Sequence, residues 1–190
     1  MAHTLAPDFT FDTSSSQNLR LSTVVKDSDY TFLIFLRYYG CTSCQIDLID
    51  LTAHYAAFRE KNAQLLVVLQ SDPRILAAGV EDRGIPFTLI SDPEQKIYPL
   101  YQVKPAMDYD GLRQGMTEAE AARYAAKRAK AQELNVQHGE YEGNEYQLPA
   151  YFLLDRNMQI LLEHRARNIA DMPRAEEYLE SLSQAVHADQ

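Results

Sequence analysis

Residues 32–51, FLIFLRYYGCTSCQIDLIDL, hold the only two cysteines of the chain, Cys41 and Cys44, separated by two residues. Ahead of the pair runs an apolar segment, residues 30–36, that reads as a buried strand. Behind it, Ile46, Ile49, Ala53, Ala56 and Ala57 fall near one face of a helix expected over residues 42–62. The Cys-x-x-Cys pair therefore sits at a strand-to-helix junction. If Thr42 opens the helix, Cys41 lies at or next to its N-cap, facing unsatisfied N–H groups and the positive end of the dipole. A free cysteine with pKa ~8.5 is only slightly ionised at neutrality. Lowering it by about two units, worth about 2.7 kcal/mol, makes it mostly thiolate. Cys44, one turn further in, would be more buried and would act second, attacking a mixed disulfide.

Outward from this junction, apolar runs recur at residues 64–69, 87–90, 151–154 and 159–162. Several are too continuous for half-exposed strands, which predicts a sheet covered on both faces. A short helix is expected over residues 73–83, opened by Asp72-Pro73 and closed by Gly84. A last helical pattern follows Asp171, with Ala175, Tyr178, Leu179 and Leu182 apolar. The two final strands read as a hairpin turning at Asp155, Arg156 and Asn157. The alternation of strands and helices places the chain in the α/β class, with a right-handed parallel crossover as its first unit. Residues 104–147 break the rhythm. They contain a helix-forming stretch opened by a capping-box pattern, Thr117 with Glu120, and then a turn-rich segment in which Gly139 and Gly143 mark sharp turns. A connection this long between sheet strands is expected to be a helical insertion over the core.

The formal net charge of −9 leaves no excess of Lys and Arg for a nucleic-acid backbone. No apolar stretch approaches the ~20 residues that span a bilayer, so no membrane segment is expected. The N-terminus lacks a basic and an apolar region of a secretory signal, and with Met1 present the expected location is cytoplasmic. There a close cysteine pair is catalytic, redox-sensing or metal-binding more often than structural. A zinc site needs three or four ligands. His3, His54, His138, His164 and His187 are scattered, so neither a metal nor any other cofactor is expected.

Four stretches together resemble the AhpC/TSA, peroxiredoxin-like group of the thioredoxin superfamily: LAPDFTFDTSSSQNLRLSTVV, FLRYYGCTSC, FTLISDPEQKIYPLYQV and HGEYEGNEYQLPAYFLLD. The resemblance implies one thioredoxin-like domain over residues 1–190, a central mixed sheet flanked by helices, with the 104–147 insertion before the strand that opens at a cis proline. By position that proline is Pro149, and a cis Leu148–Pro149 bond would expose the Leu148 backbone to a docking peptide. Tyr39, Leu148 and Pro149 are the implied substrate-binding residues. Where peroxiredoxins typically carry Pro-x-x-x-Thr-x-x-Cys, aligning on Cys44 puts Arg37 and Cys41 in place of the proline and threonine. Arg37 and Arg165 are candidate charges near the sulfur. The carboxylate that often lies under a thioredoxin dithiol would fall near Phe35. Asp47 and Asp50 are expected as solvated helix charges.

Three functional readings follow. In the first, the chain is a thiol–disulfide oxidoreductase of thiol redox or antioxidant metabolism, with Cys41 attacking and Cys44 resolving. Its partners would be a protein thiol or disulfide or a small-molecule thiol donor. In the second, it is a thiol-dependent peroxidase, with Cys44 meeting peroxide and Cys41 resolving. In the third, it is an interaction module whose cysteines are idle. His138 as a general base, and Tyr38, Tyr39, Tyr141, Tyr146 and Tyr151 as a ring around the sulfurs, are further candidates.

Overall fold

The computed structural model describes residues 4–188. His3 lies outside them, as does the side chain of His187. Seven strands form one mixed sheet in the order β2-β1-β5-β4-β3-β6-β7. These are β1 (Thr10–Thr13), β2 (Leu19–Arg20), β3 (Tyr30–Phe35), β4 (Ala63–Leu69), β5 (Thr88–Ser91), β6 (Ala150–Asp155) and β7 (Ile160–Arg165). Helices α1 (Leu21–Val24), α2 (Thr42–Glu60), α3 (Pro73–Arg83), α4 (Ile97–Leu100), α5 (Glu118–Glu133) and α6 (Ala175–Ala188) complete the chain. The central strands β3, β4 and β5 are parallel, while β6 runs antiparallel to β3 and pairs with β7.

The continuous apolar runs are explained by a core on each face of the sheet. Along β3, Phe32 and Ile34 point to one side and Leu33 and Phe35 to the other, as the two-residue strand period requires. The first face is closed by Leu48, Leu51 and Phe58 of α2, Leu76 of α3 and Tyr178 and Leu182 of α6. The second is closed by Phe9, Phe11, Leu21, Tyr98 and Tyr101. Tyr98 also fixes the exit of β3, because its buried hydroxyl donates to the Leu36 carbonyl at 2.7 Å. That anchors the segment from which the cysteine loop springs.

Local signals in the sequence set the helix ends. Asp72 accepts from the Arg74 N–H at 2.9 Å, Pro73 opens α3, and Gly84 ends it at φ +59°. At α5, Thr117 Oγ1 accepts from the Glu120 N–H (3.1 Å) and Glu120 Oε2 accepts from the Thr117 N–H (2.9 Å). Two short strands, β1 and β2, were not expected, and the last helix begins at Ala175, four residues after Asp171.

Asp50 departs from the expected solvated charge. Its Oδ2 accepts the Ala175 N–H at 2.9 Å, so a side chain of α2 caps the first turn of α6. The cis peptide expected at Pro149 is also corrected: every peptide bond among the described residues is trans. Pro149 is buried, and its carbonyl accepts from the Ala166 N–H (3.0 Å) just before Ala150 pairs with Phe35. A strand start of this kind needs no N–H and no reversal of the chain, so the ordinary trans proline serves.

Candidate active site

Cys41 is the N-cap of α2, with extended backbone (φ −65°, ψ 119°). Its Sγ accepts from the Cys44 N–H at 3.4 Å and from Arg37 Nη2 at 3.0 Å. The helix behind it has 19 residues, so its positive end is aimed at this sulfur. Arg37 comes from the exit of β3, held by Gln70: the Gln70 N–H donates to the Arg37 carbonyl at 2.8 Å and the side-chain amide donates to it at 3.1 Å.

The two thiols are unequal. A hydrogen bond from the Cys44 side chain, the Arg37 charge and the Cys44 N–H hold Cys41 at a pKa of about 6, against burial that pushes it up. Burial and the neighbouring Cys41 sulfur push Cys44 well above the ordinary thiol range. For Arg37, burial works against the charge, but the adjacent sulfurs outweigh it and the guanidinium stays protonated. One sulfur is thus prepared as an anion and the other as a proton-bearing donor to it.

Both sulfurs are covered. Cys41 is 2% exposed and Cys44 5%, so the expected difference in exposure between them is absent. The cover is the turn-rich segment between α5 and β6. Gly139 N–H donates to the Gly40 carbonyl at 2.8 Å, and a Cβ on Gly40 would lie 2.4 Å from the Glu140 carbonyl oxygen. Glycine is required here for backbone to pack on backbone, not for a turn. Gly143 does need its freedom, at φ +63°. Further ties fasten the loop. Gln45 Nε2 donates to the Gly40 and Gln137 carbonyls, Arg37 Nη1 to the Glu145 carbonyl (2.8 Å), and Ser71 Oγ to Glu142 Oε2 (2.6 Å).

Beside this cover, a cleft of about 540 Å³ opens between the cysteine loop and α5. Cys41 lines it with Arg37, Tyr38, Lys127, Arg128 and His138. His138 Nδ1 lies 2.7 Å from the Gly139 carbonyl, which can only accept, so Nδ1 carries a proton. Its Nε2 faces the Tyr38 hydroxyl at 3.2 Å, where with Nδ1 as the donor it can accept that hydroxyl. Burial raises the Tyr38 pKa, which keeps that hydroxyl protonated. His138 thus orients Tyr38 in the cleft wall and bonds to Tyr38 and Gly139 rather than to sulfur; its ring packs on Tyr141, with centroids 4.3 Å apart.

Of the five site residues read from sequence, the structure joins Cys41 and Cys44 and sets the other three apart. Tyr39 turns toward α3, where a Cβ on Gly79 would fall 2.2 Å from its ring. Leu148 and Pro149 stand at the head of β6 and do not line the cleft. Tyr146 and Tyr151 are elsewhere too, Tyr151 packing on Phe32 and Tyr178. Arg165 is structural: its Nε donates to the Tyr101 carbonyl at 2.8 Å and its guanidinium lies over Phe152.

Sequence reasoning missed Asp47. Three residues past Cys44, it is not a solvated charge but pairs with Lys127 of α5 at 2.6 Å. Burial raises its carboxyl pKa despite Lys127, and its charge adds to the forces keeping Cys44 protonated. Among the described residues no group of three His, Cys, Asp or Glu side chains could hold a metal.

The sequence profile of the AhpC/TSA family matches residues 2–162. The chain belongs to the AhpC/TSA family. Its fold is that of thioredoxin-like relatives of known structure. Peroxidoxin BcpB from Mycobacterium tuberculosis superposes with TM-score 0.66 at 14% identity, over 99% of this chain and 97% of that one. Peroxiredoxin Q of Xanthomonas campestris gives 0.64 at 15%, over 93% and 90%. A putative thiol:disulfide interchange protein DsbE from Chlorobium tepidum gives 0.57 at 20%, over 98% and 95%. No curated protein sequence matches significantly. As an AhpC/TSA member the chain is a thiol-dependent oxidoreductase. No helix among the described residues is long and apolar enough to cross a membrane.

Proposed function

We propose that this AhpC/TSA protein is a thiol–disulfide oxidoreductase in which Cys41 attacks and Cys44 resolves. The observation that supports it best is the Arg37 guanidinium 3.0 Å from Cys41 Sγ at the N-cap of α2. An anion there is hydrogen-bonded, charge-paired and aligned with the dipole, while Cys44 keeps its proton. The Cys41 thiolate attacks a disulfide sulfur, forming a mixed disulfide and releasing one thiolate. Cys44 then loses its proton to water and attacks Cys41 Sγ, closing the protein disulfide and releasing the second thiolate. A dithiol donor would restore the reduced pair. Antioxidant or thiol-maintenance work in the cytoplasm suits a chain whose only cysteines are this pair. An idle-cysteine interaction module would have no use for a thiol held at about 6.

The test is a pair of variants. Cys41→Ser should lose all disulfide reduction, whereas Cys44→Ser should accumulate a mixed disulfide with substrate visible by intact mass. Full activity in both would end the proposal.

One observation favours peroxide as a second substrate, with the roles opposite to those expected from sequence. The sulfur beside the arginine is Cys41, and that guanidinium is placed to donate to a peroxide oxygen as well as to the sulfur. The Cys41 thiolate would take one peroxide oxygen to become a sulfenic acid, releasing hydroxide or alkoxide. Cys44 would then displace water from it to form the disulfide. Trapping of a sulfenic acid at Cys41 in Cys44→Ser after one equivalent of hydrogen peroxide checks this reading; a sulfenic acid at Cys44 in Cys41→Ser alone would oppose it.

A further inference from the structure

The cleft beside Cys41 carries a charge opposite to that of the whole protein. The chain has a net charge of −9, yet the charged side chains lining the cleft are Arg37, Lys127 and Arg128 against one carboxylate, Glu145. Lys127 is shared with Asp47 on the far side. Arg128, the next residue along α5, is exposed and has no ion-pair or hydrogen-bond partner among the described residues. Tyr124 and Tyr109 give the same cleft flat apolar surface. A volume of about 540 Å³ lies in the range that encloses small molecules. An extended protein strand has a poorer approach, because the 137–145 loop is fastened across the cysteine loop through Gly40, Gln45 and Ser71.

We propose that the cleft seats a low-molecular-weight disulfide bearing carboxylates. The carboxylates meet Arg128 and Lys127, the body of the molecule lies on Tyr124 and Tyr109, and the disulfide faces Cys41 Sγ. This rests on the dithiol reading above and names its substrate class. The reaction balances without a further oxidant. Two protein thiols give up two electrons and two protons to R–S–S–R, leaving one protein disulfide and two R–SH. Charge in the cleft then sets which disulfides enter, by complementarity and steering.

The test is single-turnover oxidation of the reduced protein, followed by loss of free thiols, with three disulfides of different charge. These are oxidised glutathione (anionic), bis(2-hydroxyethyl) disulfide (neutral) and cystamine (cationic). The ratio of the oxidised-glutathione rate to the cystamine rate is compared between wild type and Arg128→Glu, so that intrinsic reactivity cancels. The variant should lower that ratio about tenfold at low salt, since it removes an attraction and adds a repulsion. Added salt should shrink the wild-type ratio. Lys61→Glu, the same charge change at the far end of α2, should leave the ratio as it is. A ratio unmoved by Arg128→Glu, with all three disulfides reacting, overturns the substrate class and leaves the dithiol chemistry standing. A wild type that reacts with none of the three overturns both.

Discussion

Replacing Arg37 by Met removes the donor 3.0 Å from Cys41 Sγ while keeping much of the side-chain volume. A hydrogen bond to a charged group contributes about 1.5–3 kcal/mol. At 1.36 kcal/mol per pKa unit, its loss should raise the Cys41 pKa by about 1–2 units. Starting from about 6, the thiol would then titrate near 7–8. It would not return fully to the free value, because the Cys44 donors and the helix end remain. The assay is the rate of iodoacetamide alkylation against pH, read as a midpoint. A single-pH rate would mislead, since a more basic thiolate is also more nucleophilic. Arg37→Lys should shift the midpoint less, because the charge stays even though the second contact, to the Glu145 carbonyl, is lost. An Arg37→Met midpoint within a few tenths of wild type would refute the assignment of Arg37 as the anion's partner.

Other outcomes follow from packing around the site. Gly40→Ala places a methyl against the Glu140 carbonyl and should cost about 1–3 kcal/mol while lifting the 137–145 loop, seen as a lower melting temperature and faster alkylation by a bulky maleimide; an unchanged melt contradicts the packing. Lys127→Met leaves Asp47 without its cation. Because about a quarter of the Asp47 side chain is exposed, the loss should be about 1–3 kcal/mol by urea unfolding, below the figure for a fully buried pair. Adding Asp47→Leu should recover part of it, and a double variant no better than the single would mean the pair is not coupled. Tyr98→Phe leaves the Leu36 carbonyl without its hydroxyl donor and should cost about 1–3 kcal/mol, measured in the same way.

What the sequence disclosed was what local chemistry decides. The N-cap at Cys41, the Asp72-Pro73 start and Gly84 stop of α3, the capping box at Thr117 and the Asp155 hairpin turn each depend on a few adjacent residues. What stayed hidden depends on chain partners far away. Asp47 looks like a surface charge until Lys127, 80 residues on, is laid over it. Arg37 becomes a sulfur ligand only because Tyr98 and Gln70 fix the backbone leaving β3. Gly139 reads as a turn, yet its work is contact with Gly40, 99 positions earlier. The resemblance supplied the fold but not the peptide geometry at Pro149, which is trans, nor the direction of Tyr39, which faces α3. Strands of four and two residues, β1 and β2, carry too little periodicity to be seen.

The field at the start of α2 ionises Cys41 and leaves Cys44 protonated. The most direct test is limited alkylation of the reduced protein with less than one equivalent of iodoacetamide over a series of pH values, followed by peptide mass mapping at each. The label should sit on Cys41, with a reaction midpoint near 6. A label mainly on Cys44, or a midpoint near the ordinary ~8.5 of a free thiol, would contradict it.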